Sequence, residues 1–242
     1  MGLKCHQYSC LEDNYGVLVR DESSGRVAVI DVPEEMATRQ AIEQTGWEPT
    51  DIFLTHHHWD HIDGVGGIRS SFDVKVTGNA ADARRLPKLD NAVHEGEIVS
   101  LGETEFQVID TPGHTVGHIA YVSEAAKVGF VGDTLFSLGC GRMAEGSAAQ
   151  FFDSLQKLSR LNPETNLYCG HEYTLTNARF ALSLQPENKA LSEVVRDINE
   201  RRSQGKPTLP TTLAFECEFN PFLLARSAEE FASVRTAKDN FR

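Results

Sequence analysis

Positive charge is scarce in this sequence. Its 242 residues hold 23 Lys and Arg against 35 Asp and Glu, a formal net charge of −12. An excess of that sign argues against duplex nucleic acid or an anionic membrane as the main partner, because both need clustered cations. No stretch approaches the ~18 apolar residues of a membrane span, and the first residues lack the apolar centre of a signal peptide, so a soluble chain is expected. Cysteine is also sparse. Cys5, Cys10, Cys140, Cys169 and Cys217 are odd in number and scattered, with no C-x-x-C pair. That pattern excludes a disulfide framework and points to reduced thiols in a cytoplasmic compartment. There is no N-x-S/T sequon, internal repeat or low-complexity segment. The glycines of Gly64-Val65-Gly66-Gly67 lack the third glycine of a dinucleotide loop, so they read as close packing at a helix start.

What is present fits a globular domain with a sizeable core: 40% hydrophobic and 24% charged residues. The charge is uneven. Residues 1–159 hold 12 basic and 24 acidic side chains, whereas residues 160–242 hold 11 of each. The first two thirds alternate β-rich runs with helical stretches. Strands are expected at 16–20, 27–30, 51–54, 73–76, 104–110, 119–122, 128–131 and 166–169, with helices at 34–45, 64–71, 79–86 and 147–160. Ser147 and Gln150 have capping-box spacing. Several strands follow one another directly, which implies mixed sheets with helices outside. Beyond residue 173 the pattern becomes helical. Residues 187–204 form one amphipathic helix with Gly205 at its end, 208–224 read as an extended connection, and Ser227 with Glu230 opens a last helix.

The chemistry is concentrated at strand ends. The run Ile52-Phe53-Leu54 leads into Thr55-His56-His57-His58-Trp59-Asp60-His61. Alternation along a strand lets His56 and His58 point the same way and share a metal, while Asp60 and His61 turn toward a second one. Imidazole and carboxylate donors suit zinc, iron or manganese. The same layout recurs where 106–110 leads to His114, 128–131 to Asp133 and 166–169 to His171. A single histidine after a strand is commonly a cap or a core residue; the signal lies in the repetition. His57 should face away from its neighbours, His118 should support the site from behind, and His6 and His94 read as surface residues.

The His56–His61 cluster, with Thr111-Pro112-Gly113-His114-Thr115, Gly132-Asp133-Thr134 and Gly170-His171, resembles the metallo-β-lactamase superfamily. Within it, Gly132-Asp133-Thr134-Leu135-Phe136, Gly139-Cys140-Gly141-Arg142, Gly170-His171-Glu172-Tyr173-Thr174 and the tail Arg235-Thr236-Ala237-Lys238-Asp239 are similar to the glyoxalase II family, the hydroxyacylglutathione hydrolases. The resemblance spans nearly the whole chain. It implies an α+β fold: a four-layer αββα sandwich over residues 1–172, followed by a small α-helical, glutathione-binding domain over 173–242. It also implies two divalent metal ions, zinc first with iron or manganese as alternatives. One would be held by His56, His58 and His114, the other by Asp60, His61 and His171, with Asp133 bridging and Asp60 orienting the nucleophile.

The implied activity is hydrolysis of S-(2-hydroxyacyl)glutathione thioesters, such as S-D-lactoylglutathione, to glutathione and D-lactate by a metal-bridging hydroxide, a step in methylglyoxal detoxification. Two divalent ions bring +4 against −3 from Asp60, Asp133 and hydroxide, a balance that favours hydroxide near neutral pH. Arg142, Tyr173, Arg235 and Lys238 stand at the family's glutathione-binding positions. Arg and Lys pair well with glutathione's two carboxylates, and Arg235 and Lys238 share a helical face. One departure is Ala144, where family members commonly carry an aromatic. The partner is then a small glutathione thioester, with no nucleic acid and no membrane, and the chain a monomer or weak oligomer. The alternative is a glutathione-persulfide dioxygenase of the same superfamily, with a single iron. Cys140 and Cys169 read as packing thiols.

Overall fold

The computed structural model describes residues 2–241. Two six-stranded sheets stack face to face. The first runs in simple sequence order: β1 (Leu3–Cys10), β2 (Asn14–Asp21), β3 (Val27–Ile30), β4 (Asp51–Phe53), β5 (Lys75–Asn79) and β6 (Asn91–Val93). Its first three strands are antiparallel and the rest parallel. The second sheet uses β7 (Ile98–Leu101), β8 (Thr104–Asp110), β9 (Ile119–Ser123) and β10 (Val128–Gly132), then β13 (Asn166–Cys169) and β14 (Thr211–Thr212). Between β10 and β13 lies a small hairpin, β11 (Leu135–Phe136) with β12 (Gly139–Cys140), that belongs to neither sheet.

The period-two alternation of the strands dictates the layering. Val17, Val19, Ala28, Ile30 and Phe53 point inward and meet Phe106, Val108, Ile119, Tyr121 and Phe130 of the second sheet. Their neighbours Leu18, Val27, Val29, Ile52 and Leu54 point outward, under helices α1 (Glu35–Thr45) and α3 (Val65–Ser71). The short helix α2 (Trp59–Ile62) carries part of the histidine cluster. On the far side, Ala120, Val131 and Leu167 pack under α4 (Ala148–Ser159) and the C-terminal helices. Each of Phe53, Phe106 and Phe130 is fully buried, worth about 1.5–3 kcal/mol apiece. The order helix, sheet, sheet, helix is the expected αββα sandwich.

The tail comprises α5 (Thr174–Leu184), α6 (Lys189–Ser203), α7 (Leu213–Phe219) and α8 (Ala228–Asp239). Ser147 and Gln150 form the full reciprocal capping box of α4. At α8 only half of the expected box forms: Ser227 accepts from the Glu230 N–H, while the Glu230 carboxylate turns to the Arg226 N–H. Two expectations fail, and one long strand is added. The 79–86 helix shrinks to a single 3-10 turn at Ala80–Asp82, capped by Asn79. The 208–224 connection contains α7, capped by the Thr212 hydroxyl. The strand β1 is absent from the sequence reading because half-buried polar residues break its pattern. Among the described residues, no helix is long and apolar enough to cross a membrane.

Candidate metal centre

Every candidate ligand sits just beyond the end of a strand or at the start of the helix that follows it. His56 and His58 follow β4, Asp60 and His61 lie in α2, His114 follows β8, Asp133 follows β10 and His171 follows β13. The strands bring these ends to one edge of the sandwich. Donor atoms of His56, His58 and His114 all lie within 4.8 Å of one another, and so do those of Asp60, His61 and His171. Asp133 lies between the two groups. Its Oδ2 is 3.4 Å from His114 Nε2 and 3.3 Å from His171 Nε2, and its Oδ1 is 3.4 Å from His61 Nε2.

The hydrogen bonds on the outer side of each ring settle which nitrogen faces inward. His114 Nδ1 donates to the Arg142 carbonyl at 2.9 Å, so its Nε2 bears the lone pair. His61 Nδ1 donates to Asp31 Oδ2 at 2.8 Å and His171 Nδ1 to Asp13 Oδ1 at 2.9 Å. The Thr55 hydroxyl donates to Asp31 at 2.8 Å, which leaves it to accept from His56 Nδ1 at 3.0 Å. Four imidazole Nε2 atoms are thereby aimed at one space, in the arrangement that orients metal-binding histidines. His56 Nε2 and Asp133 Oδ1 are buried without a hydrogen-bond partner. Orphaned acceptors of this kind are costly unless a cation satisfies their lone pairs, so the residues fit divalent ions.

Electrostatics agree. Burial, reinforced by neighbouring imidazoles, holds His56 well below its ordinary pKa and lowers His58, so both are neutral and free to donate electron pairs. Burial opposes the Asp133 carboxylate, yet His61 and His171 hold it well below the usual carboxylate range. Burial likewise opposes charge on His61 and His171. The carboxylates around them outweigh it, raising His61 to about 10 and His171 to about 11. Without an ion both rings carry a proton on the inward nitrogen as well, and a bound cation takes that proton's place beside the carboxylates.

The remaining histidines separate cleanly. His118 receives the Asp133 N–H on its Nε2 at 3.0 Å, while its Nδ1 faces Thr111 and Thr134. It braces Asp133 from behind and has no lone pair left over. His57 turns away to Asp82 at 2.9 Å. His94 is exposed, but His6 is half-buried against Tyr8, not on the surface as expected.

The centre opens into a cavity of about 770 Å³ whose wall includes Arg142, Tyr173, Arg235 and Lys238. Arg142 is exposed. The Tyr173 ring stacks on His171 at 4.8 Å. Lys238 Nζ donates to the Thr176 carbonyl and lies over Phe180. Arg235 is 4% exposed, and its guanidinium binds the Cys140 carbonyl and Asp239 while lying over Phe222. Ala144 is exposed and absent from the wall. Cys140 and Cys169 are buried, and burial pushes the Cys140 thiol up to about 12 and raises Cys169 further, which leaves both inert at neutral pH.

Sequence reasoning missed Asp31, Asp13 and Asn14. Asp31 follows β3 directly, the same strand-then-donor layout as the others, at a backbone φ of 51°. Asn14 Nδ2 donates to both the carbonyl and the carboxylate of Asp60. Asp13 and Asn14 lie at the β1–β2 turn, which carries no separate chemical signal.

Comparison with known proteins places the chain. Residues 14–171 match the model of the metallo-beta-lactamase superfamily and residues 172–241 that of the hydroxyacylglutathione hydrolase C-terminus. A hydroxyacylglutathione hydrolase of Mesorhizobium japonicum is 45% identical over 255 aligned positions, covering 100% of both chains. The crystal structure of ETHE1 from Myxococcus xanthus superposes with a TM-score of 0.74 at 28% identity, covering 98% of this chain and 90% of that one. The structure of TTHA1623 in a di-iron-bound form gives 0.62 at 26% identity, covering 87% and 95%. The chain belongs to the metallo-β-lactamase superfamily and, within it, to the hydroxyacylglutathione hydrolases.

Proposed function

We propose that this chain is a thioester hydrolase that converts S-(2-hydroxyacyl)glutathione, typified by S-D-lactoylglutathione, to glutathione and a 2-hydroxy acid such as D-lactate. The observation that carries the reading is the seven-residue set His56, His58, His114, Asp60, His61, His171 and Asp133, opening into a cavity with cations on its wall. In this reading two divalent ions occupy the centre, zinc by first preference. They supply Lewis acidity toward the thioester carbonyl and make hydroxide available at neutral pH.

The chain's own residues do the rest. Asp31, Asp13, Thr55 and the Arg142 carbonyl fix four rings, so the donor set is preorganised and needs no rearrangement to bind. Asn14 donates to Asp60 Oδ2, the oxygen that lies 3.4 Å from His171 Nε2, and so holds that oxygen in the second ligand group. Arg142 and Lys238 offer positive charge to the substrate's carboxylates, and Tyr173 carries its hydroxyl along the wall beside His171. The Arg235 guanidinium contributes through the backbone it holds as well as through its place in the wall. Residues 1–172 supply the metal centre and 173–242 most of the substrate side. The five free cysteines suit a cytoplasmic setting.

The test combines metal quantification with loss of thioester absorbance on one preparation of metal-loaded protein. Two ions per chain and turnover of S-D-lactoylglutathione are expected, with Asp133→Ala lower by a hundredfold or more, on the order of what disruption of a metal site costs. Wild-type turnover no better than that of Asp133→Ala would sink the reading. One iron per chain with oxygen consumption on glutathione persulfide would replace it with the dioxygenase.

A further inference from the structure

The small hairpin Leu135–Cys140 joins Asp133 to Arg142, and it has no strand neighbour except itself. Its turn holds Leu138 at a φ of 56°, a left-handed conformation that a bulky side chain rarely adopts. Such a conformation persists only where the surroundings over-determine it. Here they do so by hydrogen bonds from three separate helices of the tail. The Leu138 N–H donates to Glu216 Oε2 at 2.7 Å. The Asn220 amide nitrogen, just past α7, lies 3.1 Å from the Phe136 carbonyl, 3.0 Å from the Gly139 carbonyl and 2.9 Å from Glu216 Oε2. The Asn177 amide donates to the Ser137 carbonyl at 3.1 Å, and Arg235 donates to the Cys140 carbonyl at 3.0 Å. All four side chains are buried, Glu216 and Asn220 completely. The Leu138 side chain is itself fully buried among Ala178, Ala181, Leu191 and Phe219 of the tail.

Both ends of the hairpin run into the metal centre. Gly141 passes so close to the Asp133 backbone that a Cβ there would fall 2.1 Å from the Asp133 carbonyl oxygen and 3.1 Å from His114 Nδ1. The next carbonyl, that of Arg142, is the one that fixes the His114 ring. A displacement of the hairpin therefore moves Asp133, turns His114 and shifts the Arg142 side chain together.

We propose that Glu216, Asn220 and Asn177 are positioning residues. They clamp the Leu135–Cys140 hairpin to the C-terminal helices and so set the geometry of both the metal centre and the substrate cation Arg142. This rests on the reading of Asp133 and His114 as ligands and of Arg142 as a substrate contact. It gives the tail a second task beyond lining the cavity: the helices that face the substrate also hold the segment between the two metal groups. A buried carboxylate and two buried amides converging on one six-residue segment is more than satisfaction of stray backbone groups requires, since water or a polar residue of the hairpin itself serves that purpose elsewhere.

The experiment uses the full chain and the variants Glu216→Leu, Glu216→Gln, Asn177→Ala and Thr211→Val. For each, bound metal per chain, melting temperature, and kcat and KM on S-D-lactoylglutathione are measured. Glu216→Leu and Asn177→Ala are expected to bind less metal than wild type at equal free zinc and to raise KM by about tenfold, the lower end of what loss of a supporting contact costs. Glu216→Gln keeps an acceptor for the Leu138 N–H and should restore metal content and KM to near wild type. Thr211→Val removes a contact to Glu216 Oε1 that does not reach the hairpin, and should leave both unchanged. A lower melting temperature with wild-type metal content and KM in Glu216→Leu and Asn177→Ala would overturn the clamp and leave a purely structural role. If Glu216→Leu does not fold, Asn177→Ala decides by bound metal alone, because Asn177 also lines the cavity and can move KM directly. If the wild-type chain turns over no thioester, the function fails, but metal content still judges the clamp.

Discussion

Lys238 is the cation of the cavity whose charge depends on pH in the working range. Half-buried beside Phe180 and Phe241, it is pulled down to about 8, first by burial and then by Arg235. Below about pH 8 the amine is charged and can pair with a substrate carboxylate; above it the charge is lost. KM for a glutathione thioester should therefore rise through pH 8, by about tenfold once the amine is neutral, as expected for losing a charge-assisted hydrogen bond. The value of kcat at saturation should not follow. Lys238→Arg keeps its charge and should flatten the profile; a KM that rises equally in that variant would remove Lys238 from the substrate site. At this scale the ligand candidates were legible because histidines at alternate positions after an apolar run are chemically unusual. Asp31 and Asp13 were not. A lone aspartate after a strand or in a turn is commonplace, and what distinguishes these two is contact with His61 and His171, 30 and 158 residues away.

Helix α4 shows how local rules operate at the scale of elements. Its sequence carries a capping box that forms as read, and its buried face is Phe151, Ser154, Leu155 and Leu158. Ser147→Ala removes the hydroxyl that accepts from the Gln150 N–H, and should cost about 1 kcal/mol. In a chain of this length that is a fall of roughly 2–4 °C in melting temperature, checked by thermal unfolding; an unchanged midpoint would mean that packing alone fixes the helix start. Helix α7 shows where such rules stop. Within 208–224 its buried face is Leu213, Glu216 and Phe219. A glutamate in the middle of that face hides the periodicity, because polarity places it outside. Its partners, the Leu138 N–H and Asn220, become visible only when the chain is folded. The shortened 79–86 helix is a similar case: Asp82 is drawn to His57, 25 residues away, by a contact that no local pattern encodes.

For the whole molecule, the sandwich and the C-terminal helices share one core. Tyr15, Ala120, Val131 and Leu167 of the sandwich pack with Phe151 of α4 and with Phe180, Leu213, Phe222 and Phe231 of the tail in a single apolar cluster. The hairpin adds Leu138 to the tail's own cluster. Neither region can open without exposing the other, so unfolding should be one transition. Two probes can test this independently. Trp47 and Trp59 both lie in the first sixty residues, whereas α5 to α8 supply much of the helical signal. Fluorescence and far-ultraviolet circular dichroism should then melt at the same temperature. The net charge of −12 sharpens the role of metal in that transition. Asp60 and Asp133 belong to the acidic excess and lie among the imidazoles of the centre, so the metal that the reading places there binds the native fold and stabilises it. A single ion bound to the native state alone, at a thousandfold excess over Kd, contributes about 4 kcal/mol, so one such site sets the smallest shift expected. At roughly 2–4 °C per kcal/mol, stripping with a chelator should lower both melting curves together by about 10 °C, and zinc should restore them. Curves that separate, with the fluorescence midpoint falling while the helical signal holds, would show two independent folding units and leave the tail indifferent to the metal centre.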